Sequence, residues 1–122
     1  MLIDDGRPIF QQVAEQIESA IIDGSLVEGA QVPSTNELAA FHRINPATAA
    51  KGVNQLVSEG ILHKRRGIGM FVTTGARDQL RERRRARFAA QFMDPLVAEA
   101  RRLGLGPDDL HDLLDRSWKD AR

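Results

Sequence analysis

The chain has no cysteine among its 122 residues, so it can form neither a disulfide nor a thiolate metal site. This absence fits a reducing compartment, and the cytoplasm is the expected location. No stretch is apolar over enough residues to predict a membrane span, and no segment resembles a signal peptide. The three histidines, His42, His63 and His111, share no ligand spacing. We therefore expect neither a metal nor another cofactor.

The chain also lacks a net charge, because 17 Lys and Arg residues balance 17 Asp and Glu residues. DNA-binding domains usually carry a basic excess, so the total charge alone does not favour nucleic-acid binding. The basic residues are clustered, however, at Lys64–Arg66 and again between Arg77 and Arg87. With 42% hydrophobic residues, the composition is that of a globular protein whose length leaves little for a second domain.

Residues 34–60 carry the start and stop signals of two consecutive helices. Ser34-Thr35-Asn36-Glu37 has the capping-box pattern, and the helix that it begins has Leu38, Ala39 and Phe41 as apolar positions. Asn45-Pro46 supplies a second N-cap with a proline in the first turn, and Gly60 ends that helix. Two helices joined by such a short turn are typical of a helix-turn-helix, whose second helix enters the DNA major groove.

The residues on either side of this pair complete a winged helix. An amphipathic helix is predicted over 9–22, after a turn-like segment at 1–8. Two short strands are predicted at Ile61–Arg66 and Met70–Val72, around Gly67-Ile68-Gly69. The expected fold is mainly α, with an N-terminal winged helix-turn-helix domain of three helices and a two-stranded wing over residues 1–75.

Residues 76–122 are predicted to form two C-terminal helices. The first runs over 76–103, with a kink expected near Phe92 to Pro95 because Pro95 removes a backbone hydrogen bond, and Gly104 and Gly106 end it. The second begins at Pro107, and Lys119 and Arg122 suit its C-terminus. The two apolar stripes cannot form an independent core, so we expect them to make a homodimer interface. The residues expected there are Phe88, Phe92, Leu96, Leu103, Leu110, Leu114 and Trp118.

Several of these positions together form a family pattern: Gly24-Ser25-Leu26, Gly29, Val32-Pro33-Ser34, Glu37-Leu38-Ala39, Leu56, Glu59-Gly60 and Arg66–Val72. The pattern resembles the GntR family of bacterial transcription regulators over residues 8–73. The short two-helix tail and Asn45-Pro46-Ala47-Thr48 are similar to the YtrA subfamily. The resemblance implies a homodimeric, usually repressing protein that binds operator DNA and releases it on an unknown signal, with a small-molecule effector left open.

The residues expected to contact DNA differ from the usual family set. Many members have arginine where this chain has Asn36, Pro46 and Ala50, so those arginine contacts do not carry over. We instead expect contacts from ten residues on the two helices and the wing: Ser34, Asn36, Asn45, Thr48, Lys51, Lys64, Arg65, Arg66, Gly67 and Gly69. Lys51 can read a guanine or meet a phosphate, and the sequence leaves both open.

Simpler interpretations exist for each group of residues. Thr48, Lys51 and Gln55 can form an ordinary solvated helix face, and Lys64–Arg66 can protect an edge strand from aggregation. The Arg81–Arg87 run is typical of a solvated helix face with local ion pairs.

The apolar tail and the whole chain also allow other interpretations. Phe88, Phe92 and Trp118 can line an effector pocket instead of an interface. The alternative function is a winged-helix protein-interaction module without specific DNA binding. No catalytic constellation is present, so an enzyme is not expected.

Overall fold

The computed structural model describes residue 2 and residues 6–121 of the chain. These residues form two compact units, Met1–Glu82 and Arg83–Arg122. Half of the turn predicted at 1–8 lies outside the described residues, and so does Arg122. The element order is that of a winged helix-turn-helix followed by further helices, so the predicted fold class is confirmed.

Three helices build the N-terminal unit: α1 at Ile9–Asp23, α2 at Thr35–His42 and α3 at Pro46–Ser58. Their bounds agree with the prediction to within one or two residues. Helix α1 packs along α3, and Val13, Ile17 and Val53 are buried in their shared core. Of the three apolar positions of α2, Leu38 and Ala39 are buried in the core, whereas Phe41 is 80% exposed.

The caps of α2 and α3 form as the sequence predicts. The Ser34 hydroxyl accepts a hydrogen bond from the Glu37 amide at 3.1 Å, and the Ser34 amide donates to the Glu37 carboxylate at 3.0 Å. The hydrogen bond from the Ser34 amide, followed by the interaction of the Ser34 hydroxyl with the carboxyl group, lowers the pKa of Glu37. Asn45 Oδ1 accepts from the Ala47 amide at 2.7 Å, with Pro46 as the first residue of α3. These bonds satisfy amides that the helices themselves leave unpaired.

The wing is an antiparallel hairpin of β1 at Leu62–Arg65 and β2 at Gly69–Val72. It also pairs with the segment that precedes α2, which the sequence did not predict. The Val32 amide donates to the Met70 carbonyl at 2.8 Å, and the Val72 amide donates to the Ala30 carbonyl at 3.0 Å. Because the same segment leads into α2, these bonds fix the wing relative to the helix-turn-helix.

Helix α4, at Ala76–Phe88, begins inside the N-terminal unit. Ala76 and Leu80 are buried in its core. Arg77 donates from its amide to the Glu28 carboxylate at 3.2 Å and from Nε to the Ile22 carbonyl at 3.0 Å. The two compact units therefore divide after Glu82, whereas the sequence analysis placed the boundary at residue 75.

The C-terminal unit contains the end of α4, a π-helical turn at Ala89–Met93, α5 at Asp94–Arg102 and α6 at Pro107–Asp120. The interruption expected near Pro95 is thus a π-helical turn directly before it, a common form for such a break. Gly104, with φ of 73°, follows the end of α5. Gly106 instead starts α6, since its amide donates to the Asp109 carboxylate at 2.9 Å. None of the helices described is both long and apolar enough to cross a membrane.

Candidate nucleic-acid interface

Helix α3 has a buried face and a polar face, as its sequence predicts. Ala49, Val53 and Leu56 are buried, whereas Asn45 and Lys51 are exposed and Thr48 is half-buried. Since its cap bond uses only the side-chain oxygen of Asn45, the amide NH2 group can still donate to a base or a phosphate.

Lys51 is held in place by an aromatic residue of α1. Its Nζ lies 4.1 Å from the centre of the Phe10 ring, a cation–π contact worth about 0.5–1 kcal/mol at an exposed site. To reach a base edge, the Lys51 ammonium group must therefore move away from the Phe10 ring, or the ring must move with it. Phe10 is one of the apolar residues of the amphipathic helix predicted over 9–22, and no local pattern shows that it meets a residue 41 positions later.

Gly52 permits this close approach of α1 and α3. A Cβ at this position would lie 2.6 Å from the Phe10 carbonyl oxygen and 3.2 Å from Val13 Cβ. The absence of a side chain thus lets the backbone of α1 contact α3 next to Lys51. Gly52 was not singled out by the sequence analysis, although a glycine inside a helix costs roughly 0.5–1 kcal/mol and calls for a packing reason.

The basic side chains of the wing surround a single aromatic ring. The Arg65 guanidinium lies 4.4 Å from the centre of the Phe71 ring. The His63 ring lies 6.0 Å from the same ring, inclined by 24°. Lys64 and Arg66 are exposed. Phe71 therefore orients Arg65 in the same way that Phe10 orients Lys51.

The tip of the wing is a tight turn in which the Ile68 amide donates to the Arg65 carbonyl at 3.0 Å. Gly67 and Gly69 have φ values of 76° and 150°, which residues with side chains rarely adopt. Gln31 Nε2 donates to the Ile68 carbonyl at 3.1 Å and so supports the turn. The Ile68 side chain is 62% exposed at the tip. Gln31 and Ile68 are two residues of this surface that the sequence analysis missed.

The start of α2 and the turn before α3 provide further polar groups. Ser34 and Asn36 are exposed, and the Ser34 hydroxyl can still donate a hydrogen bond while it accepts one from Glu37. Arg43, also exposed, lies in the turn with a left-handed φ of 56°. It was missed as a candidate, although a basic residue directly before the second helix of a helix-turn-helix is a detectable signal.

All ten residues predicted to contact DNA lie in the N-terminal unit, on three elements that adjoin one another. Helix α3 packs against both α2 and β1, and the wing is bonded to the segment before α2. The arrangement offers hydrogen-bond donors on α3 and positive charge on the wing, and both suit nucleic acid. No group of side chains in the described part of the chain could hold a metal ion.

The C-terminal unit contains an apolar groove of about 590 Å³ between the helical segment 88–101 and the start of α6. Five of the seven predicted interface residues line it: Phe88, Phe92, Leu96, Leu110 and Leu114. The other two, Leu103 and Trp118, do not line the groove. Their side chains are nevertheless 64% and 78% exposed to solvent. The sequence analysis missed four further apolar residues of the groove: Met93, Val97, Ala100 and Leu105.

Comparisons with known proteins agree with this architecture. The model of the gntR family of bacterial regulatory proteins matches residues 9–72, from the start of α1 to the end of the wing. The chain therefore belongs to the gntR family. The HTH-type transcriptional repressor YtrA of Bacillus subtilis is 28% identical over 115 residues, which are 94% of this chain and 88% of that protein. Within the family the chain is YtrA-like.

Two solved structures extend the comparison. YtrA from Sulfolobus acidocaldarius, described as a GntR-family transcription factor, has 25% identity and a TM-score of 0.56, and the match covers 99% of this chain and 98% of that one. A structure of AraR(DBD) in complex with operator ORX1 has 33% identity and a TM-score of 0.54, covering 59% of this chain and 87% of that one. These relatives are transcription regulators, a class of proteins that are not enzymes.

Proposed function

We propose that the chain is a homodimeric repressor that acts in the cytoplasm and binds a pseudo-palindromic operator. The two copies of α3 would enter successive major grooves, with half-sites about 10 base pairs apart or a multiple of that distance. The observation that carries this proposal is the exposed polar face of α3 beside a basic wing, within the segment that matches the family. The operator complex of AraR(DBD) supports the same use of that segment.

The geometry suggests different roles for the two groups of residues. Asn45, Thr48 and Lys51 lie on the first half of α3, the part of a recognition helix that meets base edges. Lys64, Arg65 and Arg66 lie on β1 and the turn after it, where they would bind phosphates and the minor groove. The start of α2, with Ser34 and Asn36, would add phosphate contacts.

The groove of the C-terminal unit supports dimerisation. Apolar residues, most of them exposed, line it, and among the described residues of its wall only Arg101 and His111 have polar side chains. An effector pocket of this volume would need several convergent polar groups to orient its ligand. A second copy of the chain, whose own groove residues are equally exposed, fits this groove better than a small-molecule effector does. A signal that alters this interface would change the distance between the two copies of α3 and release the operator.

A gel-shift titration with the DNA upstream of the protein's own gene, at two salt concentrations, tests the proposal. We expect Lys51→Ala to weaken specific binding more than non-specific binding. Arg65→Ala should weaken both and make the salt dependence shallower by about one counterion. Lys119→Ala, at the end of α6, is the control and should change neither. Weak binding that is independent of salt in the wild type would contradict the proposal and favour the protein-interaction module.

A further inference from the structure

The tip of the wing presents an aliphatic side chain to solvent. Ile68 is 62% exposed, and the residues on either side of it, Gly67 and Gly69, have no side chains to cover it. Positive charge precedes it, because Arg65 and Arg66 are exposed on β1 and the turn after it. A single exposed apolar residue is ordinary on a protein surface, so exposure alone indicates no role. The construction of the turn is what indicates one.

Both backbone polar groups of Ile68 are bonded within the protein. Its amide donates to the Arg65 carbonyl at 3.0 Å, and its carbonyl accepts from Gln31 Nε2 at 3.1 Å. A Cβ at Gly69 would lie 2.6 Å from the same Gln31 nitrogen, so the Gln31 side chain lies directly against the turn. The turn is therefore held from two sides, and what Ile68 offers a partner is its aliphatic side chain.

The shape and charge of the tip fit the minor groove of DNA. This groove is about 6 Å wide, so a hairpin tip enters it only when few side chains project from the turn. The two glycines give the tip this narrow profile, and Arg65 and Arg66 would bind the phosphates that border the groove. Ile68 would then be the side chain that meets the base edges.

We propose that Ile68 makes the wing select A·T over G·C pairs in the minor groove. Both kinds of base pair expose acceptors there, but a G·C pair adds the guanine N2 amino group, which is a donor. An aliphatic side chain pressed against this group removes its water and offers no acceptor, and an unpaired donor is costly to bury. An A·T pair has no such donor to lose. The inference rests on the operator binding proposed above and specifies which bases the wing reads.

Arginine residues of the wing offer a different route to the same base preference. A·T-rich DNA has a narrow minor groove with a strong negative potential, which attracts arginine whatever apolar residue stands beside it. Arg66 would then carry the preference, and Ile68 would be replaceable. Arg65 is less suited to this role, because it is held over the Phe71 ring of β2, 4.4 Å from its centre, and not at the tip.

Base-pair substitution in the DNA upstream of the protein's own gene tests the inference with the full-length chain. Footprinting first locates the protected region, and each of its A·T pairs is then replaced by G·C and by inosine·C (I·C). An I·C pair has the major-groove edges of G·C but lacks the N2 amino group, so its minor groove matches that of A·T. At the pairs that the wing contacts, we expect G·C to weaken binding about tenfold in gel shifts and I·C to leave it unchanged. At A·T pairs that α3 reads in the major groove, I·C should weaken binding as much as G·C does.

Three variants assign the preference to a residue. Ile68→Ala should bind the A·T and G·C forms of the operator with nearly equal affinity. Arg66→Ala should bind both forms more weakly but keep the ratio between them. Val27→Ala is the matched control, because Val27 is 60% exposed and lies in the loop after α1, and it should change neither affinity. Circular dichroism checks that each variant is folded.

Two results would overturn the inference and leave specific operator binding intact. If Ile68→Ala keeps the ratio, the inference is wrong, and loss of the ratio in Arg66→Ala would then assign the preference to arginine. If I·C and G·C weaken wild-type binding equally at every pair, no residue reads the minor groove and the inference is wrong as well. A wild type that protects no region of this DNA contradicts the proposed function itself.

Discussion

Replacing Gly52 with alanine sets two known effects on stability against each other. Alanine favours the middle of a helix over glycine by about 0.8–1 kcal/mol, so propensity alone predicts that Gly52→Ala stabilises α3. Gly52, however, lies where α1 crosses α3 within the buried core. A Cβ there would lie 2.6 Å from the Phe10 carbonyl oxygen, and real Cβ atoms essentially never come so close to another atom.

The cost of packing the added methyl group decides whether Gly52→Ala stabilises or destabilises the protein. The closest atom belongs to the backbone, so it cannot move aside as the end of a flexible side chain would, and α1 must shift away from α3. Val13, at 3.2 Å from the added carbon, must shift too. Adding a methyl group to a well-packed core costs about 1–3 kcal/mol, and contact with backbone places this case near the upper end. After the helix term is subtracted, we expect a net destabilisation of about 2 kcal/mol.

Urea unfolding followed by circular dichroism measures this difference. Fluorescence is less suitable, because the single tryptophan, Trp118, lies in the C-terminal unit and does not report on the α1–α3 core. The midpoint should fall with little change in the slope of the transition. Ala50→Gly, on the same helix, measures the helix term separately and should destabilise by about 1 kcal/mol. A Gly52→Ala protein as stable as the wild type, or more stable, would refute the reasoning.

Three further results are expected. Ser34→Ala should lower the free energy of unfolding by about 1 kcal/mol through loss of the α2 cap, measured by urea titration. The Glu37 pKa is held below its ordinary value of 4.5, so its stabilising contribution is complete above about pH 4.5 and is lost as the pH falls through the folded-state pKa. Acid titration of Glu37→Gln should therefore show a smaller loss of stability in that window than the wild type. Phe10→Leu should alter operator affinity in gel shifts but not when Lys51 is already alanine, since the ring is expected to act through that ammonium group.

Local signals in the sequence were sufficient for the fold. The capping box at Ser34, the Asn45-Pro46 start of α3 and the glycines of the wing each depend on residues within a few positions. Such bonds form from neighbouring groups, so their pattern is visible in the chain. The bounds of the N-terminal helices were accordingly predicted to within one or two residues.

The side chains of the candidate site are held in place by contacts between residues that are far apart in the sequence. Local sequence patterns do not show such contacts. Phe10 meets Lys51, and Gln31 meets the backbone at Ile68, through the packing of separate elements. The need for glycine at position 52 arises only from the packing of α1 against α3. Periodicity identified which face of α3 is polar, but it did not show what orients the side chains on that face.

Periodicity also does not distinguish a buried apolar face from an exposed one, and the two units of this chain differ in that respect. The apolar stripes of α1 and α3 are buried against each other, and their most deeply buried residues are almost wholly inaccessible to solvent. Helix α6 has an equally regular stripe, yet none of its residues is buried. An apolar groove of this extent left open to water costs free energy in proportion to its area, and the second copy of the proposed homodimer would remove that cost at both grooves at once. The N-terminal unit thus holds its shape by its own packing, whereas the proposed homodimer would give the C-terminal unit comparable packing and would join the stability of the tail to the pairing of two proposed DNA-binding surfaces.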